Sequence, residues 1–170
     1  MSLPGDDPIP ERGRLLAVDV GNVRIGIAVC DIDRVMASPL ETHQRGNDEV
    51  NSRYFAKLAK VQEAVGFVVG LPLHMNGDEG SQVKEYRAFG AKLRTWTGLP
   101  VVFMDERCTS FVAETMLWDA GLTHKKRKAR QDQVAAQLFL QSFLDSRRAP
   151  PEPKPEPSYK TAYDDDDDGT

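Results

Sequence analysis

LLAVDVGNVRIGIAVCD, residues 15–31, decides how the rest of the chain is read. Leu15 to Val18 form an apolar run that reads as a buried strand, and Ile25 to Val29 form a second one. Gly21-Asn22 lies between them and can reverse the chain, so the two strands are expected to run antiparallel. Asp19 is the anomaly, because it places a carboxylate at the tip of a core strand. An unpaired buried charge costs several kcal/mol or neutralises itself. Asp19 must therefore meet a partner or face a cleft.

Working outward, strand one is expected over Arg14–Val20, strand two over Arg24–Asp31 and strand three near Val35–Thr42, with a turn at Asp31-Ile32-Asp33. Helix one follows, capped by Asn47 or Asp48, with an apolar stripe of Val50, Tyr54, Leu58, Val61 and Val65. GFVVG at 66–70 is a short buried strand and LPLHMNGDEG a loop. A second helix, about Ser81 to Thr97, carries Val83, Tyr86, Phe89, Leu93 and Trp96 on one side and ends at Gly98 and Pro100. VVFM at 101–104 is strand five, then come a helix over about Thr109–Trp118, a basic loop, and a last helix over about Gln131–Ser146. This order predicts an α/β fold: a five-stranded mixed sheet, first an antiparallel meander and then parallel strands, flanked by helices. Residues 1–12 read as a flexible leader, 13–148 as one domain and 149–170 as a Pro-rich, acidic, disordered tail.

A length of 170 residues, 40% hydrophobic and 28% charged, is that of one ordinary globular domain. No apolar run approaches the roughly 18 residues of a membrane span. The polar start MSLPGDDPIPERG has no signal-peptide pattern, so a cytoplasmic location without membrane contact is expected. Cys30 and Cys108 have no metal-type spacing and are expected to be reduced and packed. The net charge of −4 is unevenly spread: from Ala149 onward seven acids face two bases, leaving 19 acids and 20 bases in the body. HKKRKAR at 124–130 concentrates five of those cations.

Asp19 is not the only acid at a strand end. VVFMDER puts Asp105 and Glu106 after strand five, and open α/β sheets place their sites at the carboxyl ends of strands. Asp132, in RQDQVAAQLFLQSFL, is in phase with Ala135, Ala136, Phe139 and Phe143, so it points with the buried face of its helix. Singly, each acid has an ordinary reading as a turn former, a helix cap or a surface ion pair. Together, three core-facing carboxylates would repel unless cations hold them, and Mg²⁺ prefers such hard oxygen ligands. The basic segment before Asp132 would draw a phosphate backbone toward the same place.

Four stretches in this order, VDVGNVRIGIAV, VVGLPLHMNG, VVFMDERCTS and RQDQVAAQLFLQSFL, resemble the motifs of the YqgF/RuvX family over roughly residues 14–146. The resemblance implies a ribonuclease H-like fold and one of two activities, trimming the 5′ end of the 16S ribosomal RNA precursor or resolving Holliday junctions. It places the catalytic, metal-holding triad on Asp19, Glu106 and Asp132, with two Mg²⁺ (or Mn²⁺) ions serving phosphodiester hydrolysis. Arg24 and Arg107 fall on basic positions expected near substrate phosphates. Lys125, Lys126, Arg127, Lys128 and Arg130 are expected to bind the backbone of a structured RNA precursor or of branched DNA. Asn76 and Cys108 depart from the family pattern without touching the triad, and His74 lies in a loop that could approach substrate. Junction resolution would call for a symmetric homodimer, for which Trp118 is a candidate contact. Two rivals stand beside this reading: a non-catalytic nucleic-acid-binding module, and an actin-like ATPase lobe suggested by DVGNVRIG, for which the chain lacks a second such lobe.

Overall fold

The computed structural model describes residues 7–72, 80–105 and 124–148, with only the backbone of His124 and Lys125. Five strands, β1 (Arg14–Val20), β2 (Arg24–Cys30), β3 (Ala37–Gln44), β4 (Ala64–Leu71) and β5 (Val101–Asp105), form one sheet in the order β3-β2-β1-β4-β5. β1 to β3 are antiparallel neighbours, whereas β4 runs parallel to β1 and β5 parallel to β4, as the sequence predicts. Helices α1 (Asp48–Val61) and α2 (Ser81–Thr97) cover one face, and α3 (His124–Ser146) covers the other.

Strand alternation divides the core. Leu16, Val18, Phe67, Val69, Val101 and Phe103 pack against Phe55 of α1 and Phe89 and Leu93 of α2. Leu15, Ala17, Ala28, Val68 and Val102 pack against Ala136, Phe139, Leu140 and Phe143 of α3. No helix among the described residues is long and apolar enough to cross a membrane.

The structure departs from the sequence expectations at several points. The basic segment is helical from His124 onward, because no glycine or proline interrupts residues 123–149 and Lys, Arg, Ala and Gln favour helix. Like-charge repulsion of a few tenths of a kcal/mol per pair is too weak to melt those turns. The stripe of α1 is rotated: Val50 and Val61 are 49% and 64% exposed, Val65 belongs to β4, and Asn51, Phe55, Leu58 and Ala59 are buried. A polar residue occupies that face because Asn51 closes the β3–α1 connection. Its Oδ1 accepts from Gly46 N at 3.0 Å and meets His43 Nε2 at 3.0 Å, and its Nδ2 donates to Gly46 O. Asn47 is the cap, accepting from Val50 N.

β3 starts two residues later than expected, since Val35 and Met36 belong to the preceding turn. Asp31 Oδ1 accepts from Val35 N at 2.9 Å and from Met36 N at 2.7 Å. Part of the expected leader is tethered: Asp7 N donates to Val101 O, Asp7 Oδ2 accepts from Arg94 Nε, and Arg12 pairs with Asp33. The helix expected over Thr109–Trp118 lies outside the described residues, as do His74, Asn76 and Cys108. Cys30 is buried, accepts a hydrogen bond from Leu15 N at 3.2 Å, and has its thiol pushed up by burial.

Candidate active site

The parallel strands β1, β4 and β5 finish together, at Val20, Leu71 and Asp105. Alternation after Leu15 and Ala17 turns Asp19 toward α3. Its register partner on β2 is Gly26, whose own partner on β3 is Thr42, so Thr42, Gly26 and Asp19 form one row across three strands. One residue past the Val18–Val69 pair, Asp19 stands level with Gly70.

At Gly26 helix and sheet lie in close contact. A Cβ built there would lie 2.2 Å from the backbone C and O of Asp132 and 2.7 Å from its Cβ. A hydrogen at this position lets the helix backbone rest on the strand. Asp19 and Asp132, far apart in sequence, thus flank a single glycine. Sequence reasoning missed Gly26 as the point of close approach. The signal was legible as a glycine between two β-branched residues, Ile25 and Ile27.

Arg24, two residues before Gly26, donates from Nε to Asp132 Oδ2 at 3.2 Å, both side chains being largely shielded from solvent. Burial pushes the Asp132 carboxyl above the ordinary carboxylate range, against the opposing pull of Arg24 and Lys128. Lys128 lies one turn before Asp132, and Lys126 and Arg130 are exposed. Helical geometry divides the basic segment, with Lys128 on the Asp132 side and Lys126 and Arg130 turned away from it. Arg127 is half-buried.

Thr42 fixes the same helical turn. Its Oγ1 donates to Ala129 O at 2.8 Å and accepts from Gln133 Nε2 at 2.9 Å. Gln137 donates to Ala37 O, and Gln141 accepts from Ala37 N and donates to Val35 O. Glutamines at four-residue spacing thereby satisfy both backbone groups of Ala37, where the edge strand β3 begins, and the carbonyl of Val35 just before it. Sequence reasoning missed this stripe because glutamine on a helix reads as ordinary surface.

Asp105 ends β5 in alternation with Val101 and Phe103, on the α1–α2 side, opposite Asp19. Glu106, Arg107 and the side chain of Lys125 lie outside the described residues. Among the described residues no group of three or more His, Cys, Asp or Glu could hold a metal ion. Asp19 and Asp132 fit a hard divalent cation as a partial donor set, since both offer carboxylate oxygen and the turn that carries Asp132 rests on the row that carries Asp19.

The sequence profile described as "RuvX: Holliday junction resolvase" matches residues 13–146. A protein of Rhodopirellula baltica named "Putative pre-16S rRNA nuclease" is 46% identical over 143 residues, covering 84% of this chain and 83% of that protein. A protein of the same name from Roseiflexus sp. is 42% identical over 138 residues, covering 81% and 98%. Among solved structures, Thermus thermophilus RuvC in complex with Holliday junction substrate superposes with a TM-score of 0.53 at 14% identity, covering 79% of this chain and 95% of that one. The Fowlpox virus resolvase in complex with junction DNA gives 0.50 at 8% identity, covering 78% and 97%. These two similarities establish the ribonuclease H-like fold, and the chain belongs to the RuvX family of nucleases.

Proposed function

We propose that this chain is a divalent-metal-dependent nuclease that trims the 5′ end of the 16S ribosomal RNA precursor, at a site made of Asp19, Asp132 and Glu106. The observation that carries the reading is the pair of aspartates flanking Gly26 at the carboxyl ends of the parallel strands. Glu106 joins them on sequence grounds, as the acid that follows strand five in the VVFMDER stretch. Mg²⁺ or Mn²⁺, when bound, supplies Lewis-acid polarisation of the phosphate and lowers the pKa of attacking water. The protein's part is to hold carboxylates in fixed positions on strand and helix. Arg24 orients Asp132, and Lys126, Lys128, Arg130, Arg127, Lys125 and Arg107 contribute phosphate contacts that position substrate without reading its sequence.

The RNA reading is supported by relatives above 40% identity that bear the pre-16S name and align over most of their length. The family's description favours a second reading, resolution of four-way DNA junctions by a homodimer. Domain limits of 13–148 for the nuclease body, with a separate tail, and a cytoplasmic location suit either substrate.

The test is cleavage of a 16S precursor fragment and of a four-way junction with Mg²⁺ or Mn²⁺, beside a filter-binding assay. Asp19→Asn, Glu106→Gln and Asp132→Asn should each nearly abolish cleavage while binding persists. Equal cutting by all three variants would remove the triad, and cleavage of only one substrate by the wild type decides between RNA and DNA.

A further inference from the structure

The end of α3 remote from the basic turns borders a groove of about 610 Å³, walled by Ile9, Val35, Phe143 and Leu144 and flanked by Arg34 and Arg147. Nothing in the nuclease reading uses it. Arg34 sits in the left-handed region at φ 57°, and its Nε donates to Gly13 O at 2.9 Å. Its Nη2 is buried, with no hydrogen-bond partner among the described residues. Burial and the neighbouring Arg147 both act against its charge. The groove's carboxylates leave this donor unserved, since Asp33 is held by Arg12 at 2.7 Å and Glu11 makes no bond to Arg34. Arg147 lies over the Phe143 ring at 4.5 Å, its guanidinium stacked along the wall. Cationic flanks beside an apolar wall suit an anion carried on something apolar.

The chain supplies such a group next door. Arg148 lines the groove, and the sequence continues from it as Ala-Pro-Pro-Glu-Pro-Lys-Pro-Glu-Pro, residues 149–157. Proline has no N–H to strand on an apolar wall, and Pro-rich chain is already extended, so little order is lost on docking. We propose that residues 150–156 dock in this groove, prolines against Ile9, Val35 and Phe143, with a glutamate carboxylate, Glu152 or Glu156, against the flanking guanidinium groups of Arg34 and Arg147. At 3.1 Å per residue Glu152 is about 12 Å from Arg148, so attachment keeps its effective concentration high. Docking would also fix the origin of the acidic run at 164–168, about 25 Å further along an extended chain.

The experiment uses the full-length protein labelled with ¹⁵N. Backbone heteronuclear NOEs at Glu152, Lys154 and Glu156, and the Arg34 Nε–H resonance, are compared between wild type and the double variant Glu152→Lys/Glu156→Lys, which alters no residue of the folded body. Docking predicts NOEs at 152–156 well above those at 164–168, lost in the variant, with shifts at Arg34 and Val35. Uniformly low NOEs from 150 to 168 with an unmoved Arg34 would overturn the proposal. Added inorganic phosphate should shift Arg34 more in the variant than in the wild type, since the tail then no longer fills the groove. Equal shifts in both proteins would mark an open anion site instead. Shifts at Val35 that depend on protein concentration rather than on tail charge would mark a second copy as the occupant. Either result refutes tail docking.

Discussion

Replacing Gly26 with alanine tests the link between packing and catalysis most directly. The new Cβ would lie 2.2 Å from the backbone of Asp132, whereas contacts become ordinary at 3.4 Å, so the helix must withdraw by about 1.2 Å. Gly26 has no positive φ, so the substitution adds no backbone strain and acts by volume alone. Overpacking of this kind costs about 1–3 kcal/mol. For a chain of this size that lowers the melting temperature by roughly 2–12 °C. Because the displaced segment carries Asp132, a shift of about 1 Å should lower cleavage on the order of 100-fold, or about 2.7 kcal/mol in the barrier. Gly90→Ala is the control. Its Cβ would lie 2.6 Å from Phe103 Cζ on the opposite face of the sheet, so it should destabilise without moving Asp132. The assays are thermal unfolding and single-turnover cleavage of the precursor fragment at a temperature where both variants are folded. A folded Gly26→Ala protein that cuts as well as Gly90→Ala would refute the reasoning.

Changing Lys126, Lys128 and Arg130 together to alanine should weaken binding to any sequence and reduce the slope of log K against log salt by about 3, one phosphate contact each; an unchanged slope removes them from the interface. Thr42→Val keeps the shape but leaves Ala129 O and Gln133 Nε2 without their shared hydroxyl, a loss of about 1–3 kcal/mol in chemical denaturation that Thr42→Ser should largely restore. Asp31 is held below its ordinary pKa of 3.8 by N–H groups of Met36 and Val35. Its contribution to stability is therefore complete above about pH 3.8 and is lost as the pH falls through the lower folded value. Asp31→Asn should flatten that acid limb in urea melts at several pH values, and an identical pH profile would show that the turn contributes nothing.

The sheet was legible because its signals are local. Leu15–Val18 and Ile25–Val29 are apolar runs with a glycine turn between them, and the alternation of strand and helix admits few topologies. Errors arose where a polar residue does structural work. Asn51 occupies the buried face of α1 because it bonds the chain at Gly46, so a search for apolar periodicity slid the stripe onto Val50. The basic segment was read as loop from its charge, although its residue types are helix formers. Asp31 draws Val35 and Met36 out of β3 by accepting from their N–H groups, a contact that no propensity scale contains.

The candidate site divides along the same line. Asp19 and Asp132 could be found because a carboxylate in phase with a core is locally improbable and asks for a reason. Their supports were hidden, because each has meaning only through a neighbour remote in sequence. Gly26 is an unremarked strand glycine until Asp132 rests on it, and Thr42 an ordinary strand threonine until Ala129 and Gln133 meet it. Both belong to the row that ends at Asp19. One row of the sheet thus carries an acid and also sets the height and register of the helix that brings the second. An acid held on a helix is placed no better than the helix itself, and a lone Arg24–Asp132 bond at 3.2 Å would leave that helix free to slide. Contact at Gly26 prevents approach and the Thr42 hydroxyl prevents sliding, so Asp132 is fixed in two directions by residues outside the proposed donor set.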